Sequence, residues 1–537
     1  MKPERENAAK DRYRQLRQLP WSRLWEEEVP AFNLAEPTAR LANVGLVRAV
    51  GVVFSESGKT SQKGAVAEWL RALLRDPQEK IRRYAMAALP KIGAGHDEEM
   101  EILHLLRNTS LEREKKFLGR TLDKIGGAAT LEVIHELGDV SPQTAQKVRA
   151  GLARAASLGV VDLEWRVEAW NGLRIHLRGR RGLEYFIKDE ATRCLSTRDK
   201  FRACVGAPGL VVLEPLAPFT LADIYRLRSF GTLGLVLGTT AHAEGERLNE
   251  AIAAAIASPR TQNLLEHLTR GPIRYRLDFV SKGHQRGTVR EIATRAYALC
   301  PSILNDPLHA LWAVDIHPAG RSLSVELRPR LLPDPRFAYR LGDVPAASHP
   351  PLAACMALLA GNSGEDIVWD PFCGSGLELI ERARLGGVKQ IYGSDWSAEA
   401  LSIALANLES AQLADGATLS CCDFRDFAAK EGLKPGSLTQ ILTNPPMGRR
   451  VPIANIKGLL TDLFLIAAKL LRPGGRLVFA NPLFLSSPDA RLALQSSREV
   501  DFGGFTCRLE SYIRIREGSL ETVSEQAIRR EPWSASR

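Results

Sequence analysis

The chain has 537 residues, of which 45% are apolar and 25% are charged, a composition that excludes a disordered, collagen-like or coiled-coil protein. At roughly 150 residues per domain, this length predicts three or four folded units. The net charge of +10 divides into +11 for residues 1–345 and −1 for residues 346–537, and a basic excess confined to one part is typical of a protein that binds a polyanion.

The N-terminus and the cysteines indicate where the protein works. Residues 1–7 (MKPEREN) are charged where a signal peptide is apolar, and no stretch approaches the ~18 apolar residues of a membrane span. The eight cysteines form no CxxC pair, and the ten histidines form no zinc-like or HExxH array. We therefore expect a cytoplasmic protein with no membrane contact and no metal site.

Residues 1–160 are predicted to form a helical domain, because Ala, Leu, Arg and Glu recur at helical spacing from about residue 59 onward. Two segments, LPKIG at 89–93 and LDKIG at 122–126, lie 33 residues apart, and each follows a helical stretch. Residues 143–158 are predicted to form a looser third unit. This period resembles HEAT-like helical repeats, which would bind a protein partner. An ordinary helical bundle with a chance match is the alternative.

Residues 161–335 alternate strand-like segments (165–170, 209–213, 273–279, 311–316 and 322–328) with helical ones (220–230 and 290–300), which predicts an α+β domain. Basic residues cluster at two places in this region: Arg174, Arg178, Arg180 and Arg181 in the first, and Lys282, Arg286 and Arg290 in the second. Five prolines then predict a linker: Pro333, Pro335, Pro345, Pro350 and Pro351.

Residues 336–537 are predicted to form an α/β domain with a doubly wound, Rossmann-like parallel sheet. Five apolar strand candidates lie at 367–369, 390–393, 417–420, 440–442 and 476–480, with a late strand at 510–515. Helical segments separate them at 378–385, 398–412 and 457–471. Sheets of this kind bind ligands at the carboxyl ends of their strands.

The first strand of this sheet runs into a glycine-rich loop, DPFCGSG at residues 370–376, and then into a helix. Gly374 and Gly376 allow a tight turn and a close approach to a ligand, and the helix start presents unpaired N–H groups. A Gly-Ser-Gly turn alone is a weak signal, because many α/β proteins contain one.

Two acidic residues after the next strands strengthen the signal. Asp395 lies 19 residues beyond Gly376, at the end of the second strand, where an acid binds the ribose hydroxyls of an adenosine-containing cofactor. Asp423 follows the third strand, where a carboxylate can accept a hydrogen bond from an adenine amino group. A solvated acid at a strand end is the alternative for each.

The fourth strand ends in TNPPMG, residues 443–448. Pro445 and Pro446 lack N–H groups and have a fixed φ, so they hold the segment rigid and leave their carbonyls as acceptors. Asn444 adds a side-chain carbonyl, and two such acceptors suit a planar amino group whose lone pair must face an electrophile. A Pro-Pro stop after a strand is the alternative.

Together these residues resemble the motifs of class I S-adenosylmethionine-dependent methyltransferases that act on exocyclic amino groups, and most of all the THUMP-domain RNA guanine-N2 methyltransferase family. In that family DPxCGSG is the cofactor loop, and the catalytic turn is Asn or Asp, Pro, Pro, an aromatic residue and Gly. The likeness extends upstream through FAYR at 337–340 and ASHPPLAA at 347–354, and more weakly through 165–336, which resembles a divergent ferredoxin-like and THUMP module. It does not cover the first ~150 residues.

The resemblance implies S-adenosylmethionine as cofactor, methyl transfer to an amino nitrogen, and two sets of site residues. The cofactor-binding set is Asp370, Phe372, Cys373, Gly374, Ser375, Gly376, Asp395 and Asp423. The catalytic set is Asn444, Pro445, Pro446 and Met447, with Asn444 and the Pro445 carbonyl holding the amino hydrogens. Met447 stands where the family has an aromatic residue that stacks on the base, and a thioether packs more weakly against a base.

The location of the basic residues favours RNA as substrate, and the resemblance implies guanine N2 in ribosomal or transfer RNA as the target. Only 89 residues follow Gly448, too few for a large recognition domain, so recognition is expected upstream where the positive charge lies. A non-catalytic RNA-binding or assembly protein and a DNA adenine-N6 methyltransferase are the alternatives. An NAD-linked oxidoreductase does not explain Asn-Pro-Pro.

Overall fold

The computed structural model describes residues 11–57, 62–133, 142–156, 159–241, 245–280, 285–319, 322–344, 347–448 and 454–516. They belong to two compact units, Met1–Leu158 and Gly159–Arg537. Lys282, Pro345 and the end of the third repeat candidate lie outside the described residues. Within the described ranges, no helix has the length and apolar character to cross a membrane, and no group of side chains could hold a metal ion.

The first unit is helical over its described residues, which confirms the predicted secondary structure. Its helices are 11–18, Trp21–Arg23, Val29–Leu34, Pro37–Ala42, Gly45–Ser57, Lys63–Leu73, Glu79–Ala88, His96–Asn108, Glu112–Ile125, Ala128–Val133 and Pro142–Ala156, with a π turn at Leu24–Glu28 and a 3-10 turn at Leu89–Lys91. The repeated segments are alike in their burial, because Leu89 and Leu122 are both fully buried. That these repeats are of the HEAT class stays a prediction.

Residues 159–335 form the predicted α+β arrangement. The strands are β1 (Val160–Val161), β2 (Ile175–Arg178), β3 (Phe201–Ala207), β4 (Leu210–Pro215), β5 (Thr232–Ala241), β6 (Thr269–Arg270), β7 (Arg274–Phe279), β8 (Leu304–Asn305), β9 (Trp312–Ala319) and β10 (Ser322–Pro329). β1 pairs with β6, and the others form one sheet, the upstream sheet, in the order β3-β4-β2-β5-β10-β9-β7-β8. The helices are Glu184–Arg193, Leu221–Ile224, Gly245–Ile256, Pro259–Leu268 and Arg286–Leu299.

Two predicted elements of this region are wrong in extent. The helix expected over 220–230 ends at Ile224, because the Glu190 carboxylate accepts hydrogen bonds from the backbone N–H groups of Arg228 and Ser229, which a longer helix would use internally. The strand expected over 165–170 is reduced to one isolated bridge between Val167 and Phe219.

The two faces of the upstream sheet differ in polarity. On β2 and β10, Ile175, Leu177 and Val325 are fully buried in an apolar core, as the period-2 alternation of these strands dictates. The opposite face carries Glu326, which accepts a hydrogen bond of 2.9 Å from Arg178 Nε and lies 2.7 Å from His176 Nδ1. This buried carboxylate therefore has a cationic partner.

The predicted doubly wound sheet is present in residues 347–516 as a seven-stranded sheet, the downstream sheet. Its strands are β11 (Asp366–Asp370), β12 (Val388–Asp395), β13 (Ala417–Cys421), β14 (Leu438–Thr443), β15 (Leu471–Asn481), β16 (Leu492–Asp501) and β17 (Thr506–Arg514). Their order is β13-β12-β11-β14-β15-β17-β16, and β17 is antiparallel to both of its neighbours. The helices are Pro350–Ala360, Leu377–Arg384, Ala398–Ser410, Phe424–Lys430 and Ile456–Leu470.

The last two prolines of the predicted linker, Pro350 and Pro351, do not lie in a linker. Pro350 and Pro351 open the helix Pro350–Ala360, nearly all of which is buried. Proline fits the first helical positions because the N–H group that it lacks has no partner inside the helix there. The last part of the expected linker is therefore a core element that packs against the downstream sheet.

A buried ion pair joins the upstream region to the helix Leu377–Arg384 of the downstream domain. Arg228 donates two hydrogen bonds of 2.6 Å to the two carboxylate oxygens of Glu381, and Tyr339 donates a third through its hydroxyl. Leu183 and Phe186 from the upstream region share one apolar cluster with the downstream sheet. A bidentate guanidinium–carboxylate contact fixes orientation as well as distance.

Candidate active site

The glycine-rich loop lies between β11 and the helix Leu377–Arg384. Gly374 and Gly376 have φ values of +50° and +79°, a region that residues with a Cβ rarely adopt. A Cβ on Gly376 would lie 3.4 Å from Ala404 Cβ. The positive φ of the turn, rather than a lack of space, is therefore the reason for glycine at these positions.

The loop side chains do not all face the same way. Cys373 and Ser375 are buried, and the Ser375 carbonyl accepts a hydrogen bond from Asn407. Phe372 packs against Phe424 with a centroid separation of 4.8 Å. The Cys373 and Ser375 side chains are therefore not exposed to solvent.

Asp395 is placed where the sequence predicted, at the carboxyl end of β12. Its Oδ2 accepts a hydrogen bond of 3.0 Å from the Gly374 N–H, and its Oδ1 accepts one of 3.0 Å from the Ser397 N–H. Each carboxylate oxygen keeps a further acceptor position for a hydroxyl group. Trp396, the next residue, is 78% exposed and offers an aromatic face at the same strand end.

Asp423 is engaged differently. It caps the helix Phe424–Lys430 by accepting from the Arg425 N–H, and its carboxylate is paired with the Arg425 guanidinium at 2.9 Å. The same guanidinium contacts Asp462 at 2.8 Å. Asp423 is therefore at the predicted strand end, but its charge is already partly compensated.

The turn after β14 is tied to the glycine-rich loop. Thr443 donates its hydroxyl hydrogen to Asp370 Oδ1, although the two residues lie 73 positions apart in the chain. The contact is possible because β14 lies directly beside β11 in the sheet. Pro445 is buried, whereas Pro446 and Met447 are half-buried. The two predicted motifs therefore meet at one edge of the downstream sheet.

Asn444 has one partner and one open acceptor. Its Nδ2 donates a hydrogen bond of 2.8 Å to Ser348 Oγ. Its Oδ1 is buried and has no hydrogen-bond partner among the residues that the structure describes. An unpaired buried acceptor is costly in a folded protein and is expected where a ligand completes it.

Two carboxylates linked to this turn, those of Asp370 and Glu378, are buried. Burial, and then the charge of Glu378, raise the pKa of Asp370 well above its usual range. Burial also raises the pKa of Glu378, while the hydrogen bond that it accepts from Ser348 acts in the opposite direction. Asp370 Oδ2 is a second acceptor that lacks a partner within the described ranges.

A further aromatic side chain lies beyond β15, the strand next to β14. Phe484 is 41% exposed and has a φ of +56°, which is unusual for a residue with a bulky side chain. Arg508 lies over its ring at 4.4 Å from the centroid. Asn481 holds this turn by donating to the Leu485 carbonyl and accepting from the Leu485 N–H.

Sequence reasoning missed Ser348, Glu378, Trp396 and Phe484. Trp396 had a signal, since it is an aromatic residue directly after a predicted strand-end acid. Ser348 and Glu378 are joined to Asn444 by hydrogen bonds between distant parts of the chain, and Phe484 follows β15, the strand next to β14. Ser348 belongs to the ASHPPLAA segment at 347–354, but that segment gave no role to its hydroxyl, and Glu378 and Phe484 belong to no quoted motif.

Residues 338–499 match the family model described as UPF0020, RMKL-like, methyltransferase domain. The tRNA (guanine(10)-N2)-dimethyltransferase of Methanothermobacter thermautotrophicus is 32% identical over 143 residues, which are 26% of this chain and 40% of that protein. The probable tRNA (guanine(10)-N2)-dimethyltransferase of Methanothermococcus thermolithotrophicus is 30% identical over 134 residues, 24% of this chain and 78% of that protein. The chain belongs to the RMKL-like methyltransferase family.

A solved structure extends the likeness in fold. The crystal structure of TrmN from Thermus thermophilus is 21% identical to this chain, with a TM-score of 0.51, and the match covers 64% of this chain and 100% of that one. The family model covers only residues 338–499. The shared fold therefore extends beyond the RMKL-like methyltransferase domain.

The residues of this domain fit S-adenosylmethionine, the cofactor of such methyltransferases. Asp395 can accept hydrogen bonds from ribose hydroxyls, and Trp396 offers a face for the adenine ring. Asp370 Oδ2, a buried acceptor with no partner among the described residues, suits the ammonium group of the methionine part. When bound, the cofactor supplies an electrophilic methyl group.

Proposed function

We propose that this protein methylates the exocyclic N2 amino group of a guanine in RNA, with transfer RNA as the first substrate to test. The observation that carries the proposal is the Asn444 side chain, whose Oδ1 is a buried acceptor without a partner in the described part of the chain. The names of the two relatives support guanine N2 as the target. We also propose that the protein is cytoplasmic and that its helical repeats bind a protein partner.

The chain's own groups would orient the amino nitrogen for methyl transfer, and the proton that the nitrogen loses when it gains the methyl group would pass to water. Asn444 Oδ1 and the Pro445 carbonyl would accept the two amino hydrogens, which fixes the direction of the nitrogen lone pair. The rigid Pro445-Pro446 backbone keeps these acceptors in place. The base must leave its stack, or come from an unpaired loop, to reach them.

Met447 and Phe484 would bind the plane of the target base. Met447 is half-buried and offers a polarizable thioether. Phe484 and its stacked Arg508 lie at the carboxyl end of the adjacent strand and offer an aromatic face. Base stacking on an aromatic ring contributes about 1–3 kcal/mol, so Phe484 would compensate for the ring that the family has at position 447.

A basic groove in the upstream region would hold the RNA backbone. It has a volume of about 450 Å³ and is lined by Arg286, Arg290, Tyr297 and Asn305. Two arginines beside an exposed tyrosine suit phosphates and unstacked bases. Phosphate contacts position the RNA, and the pocket at Asn444 selects the base.

The test is incubation of the purified protein with methyl-labelled S-adenosylmethionine and, separately, tRNA, rRNA, DNA and protein, followed by nucleoside analysis of the labelled material. We expect N2-methylguanosine in RNA, and its absence with the Asn444→Ala variant. Label confined to DNA, to N6-methyladenosine or to protein would contradict the proposal.

A non-catalytic RNA-binding protein is the second candidate, and the methionine at position 447 favours it. Calorimetry separates the two, since this candidate predicts RNA binding without binding of S-adenosylmethionine. An enzyme binds both.

A further inference from the structure

The side-chain amide of Asn444 ends in an oxygen, Oδ1, which accepts hydrogen bonds, and an NH₂ group, Nδ2, which donates them. The two groups have nearly the same shape. The proposed function, on which this inference rests, needs Oδ1 to face the target amino group. With the amide turned over, Nδ2 would face that group and repel it, because both would be donors. A group outside the NPPM turn must therefore decide the orientation.

The structure provides a short chain of hydrogen bonds for this purpose. Asn444 Nδ2 donates to Ser348 Oγ at 2.8 Å, and Ser348 donates its own hydroxyl hydrogen to Glu378 Oε1. Ser348 and Glu378 are 8% and 4% exposed, so water does not easily replace either contact. The chain begins at Asn444 Nδ2, the amide end opposite the unpaired Oδ1, and ends at a buried carboxylate.

The order of donors follows from the number of hydrogens available. Glu378 Oε1 accepts the hydrogen bond from Ser348 and so uses the single hydroxyl hydrogen of that residue. Ser348 then has only lone pairs to offer, and Asn444 must turn its NH₂ toward it. Oδ1 is thereby left pointing at the site, which agrees with its lack of a partner among the described residues.

We propose that Ser348 and Glu378 are positioning residues that fix the amide orientation of Asn444 for methyl transfer. Neither needs to touch the substrate. Ser348 lies on the segment that leads into the helix Pro350–Ala360, and Glu378 lies in the first turn of the helix after the glycine-rich loop. The orientation of the catalytic amide therefore depends on the elements that flank the cofactor loop.

The first test compares kcat, KM and cofactor affinity in single variants. We expect Ser348→Ala to lower kcat about tenfold, the value of one hydrogen bond, with cofactor Kd within threefold of wild type. Ser348→Thr keeps the hydroxyl and should stay within threefold. Glu378→Gln keeps the shape but can donate to Ser348, which permits the amide to turn over, and should lower kcat as much as Ser348→Ala does.

The second test uses a side chain at position 444 that needs no particular orientation. Asn444→Asp has two equivalent oxygens, so adding Ser348→Ala to it should change kcat by less than threefold. An equal loss in both backgrounds, a wild-type rate for Ser348→Ala or Glu378→Gln, or equal losses for Ser348→Thr and Ser348→Ala would overturn the proposal.

A third measurement does not depend on turnover. Neutron diffraction of the wild-type protein locates hydrogens that X-ray data do not show at ordinary resolution. Deuterium on the Asn444 nitrogen facing Ser348 supports the proposal, and an Asn444 oxygen facing Ser348 overturns it. The kinetic tests use whichever substrate accepts label, so an unexpected substrate would refute the proposed function without deciding the role of Ser348.

Discussion

Glu326 in the upstream sheet and Asp370 in the downstream sheet are both buried carboxylates, but their surroundings differ. Burial alone would raise the pKa of Glu326, yet hydrogen bonds from His176 and Arg178 outweigh it and lower the pKa to about 2. Asp370 has no cation partner within the described residues, and its pKa is raised. The upstream sheet uses its buried charge for stability, whereas the site edge of the downstream sheet keeps acceptors open for ligands.

The largest effect on catalysis is expected from loss of Asn444 Oδ1, the buried acceptor that has no partner among the described residues. Asn444→Ala should lower kcat by about 10²- to 10³-fold, the range for loss of one preorganised polar group in an active site. Cofactor Kd should stay within threefold, because Asn444 is not among the residues that fit the cofactor. The measurement is single-turnover transfer with calorimetry, and Asn108→Ala, at an exposed helix end, is the matched control.

The next effect is expected on stability, at the carboxylate of Glu326, which is paired with Arg178. Glu326→Gln should destabilise the second unit by about 3 kcal/mol at neutral pH, because it removes one partner of a buried ion pair. Since the folded pKa of Glu326 is below its unfolded value, this stabilisation is present above about pH 4.5 and is lost as the pH falls toward 2.

Urea unfolding of wild type and variant at pH 7 and at pH 3 checks this prediction. The difference in free energy of unfolding between wild type and variant should be smaller at pH 3 than at pH 7. The control is Glu168→Gln, in an exposed pair with Arg166, for which we expect less than about 1 kcal/mol. A variant as stable as wild type at pH 7 would show that the Glu326 pair does not stabilise the sheet.

A smaller effect is expected at the cofactor end of the same site edge. Asp395→Ala should raise the cofactor Kd about 10- to 100-fold, since a carboxylate that accepts from hydroxyls contributes about 1.5–3 kcal/mol. Asp423→Ala should raise it only a fewfold, because Arg425 already compensates that charge. Isothermal titration measures both, and equal losses would contradict the distinction drawn between them.

The smallest effect is expected in the basic groove. The double substitution of Arg286 and Arg290 by alanine should weaken RNA binding and reduce the slope of log K against log salt by about 2, one for each lost phosphate contact. Filter binding at several salt concentrations measures it, with Arg166→Ala as the control. An unchanged slope would place the RNA elsewhere.

The order of the site motifs along the chain was predictable, and most of the side-chain contacts were not. Strand periodicity placed Asp370, Asp395 and Asn444 at the ends of β11, β12 and β14, because parallel strands end at one edge of their sheet. Strand β16 was missed, since it lies at the sheet edge and most of its residues are not buried. An exposed edge strand lacks the apolar signal that identifies a central one.

Ser348 shows why the side-chain contacts of the site could not be predicted from the sequence. It lies 96 positions before Asn444, and proline residues nearby gave the segment the character of a linker. Only the packing of the helix Pro350–Ala360 brings the hydroxyl to the amide. Contacts of this kind depend on tertiary structure rather than on local pattern.

The ion pair between Arg228 and Glu381 has a consequence for dissecting the protein. A fragment starting at residue 336 would keep Glu381, which is nearly fully buried, but would lose Arg228. It would also lose Leu183 and Phe186 from the apolar cluster that they share with the downstream sheet. Removing one partner of a buried pair costs about 3–5 kcal/mol, a large share of the stability of a single domain. The downstream sheet is therefore best expressed together with the upstream sheet, as a single piece.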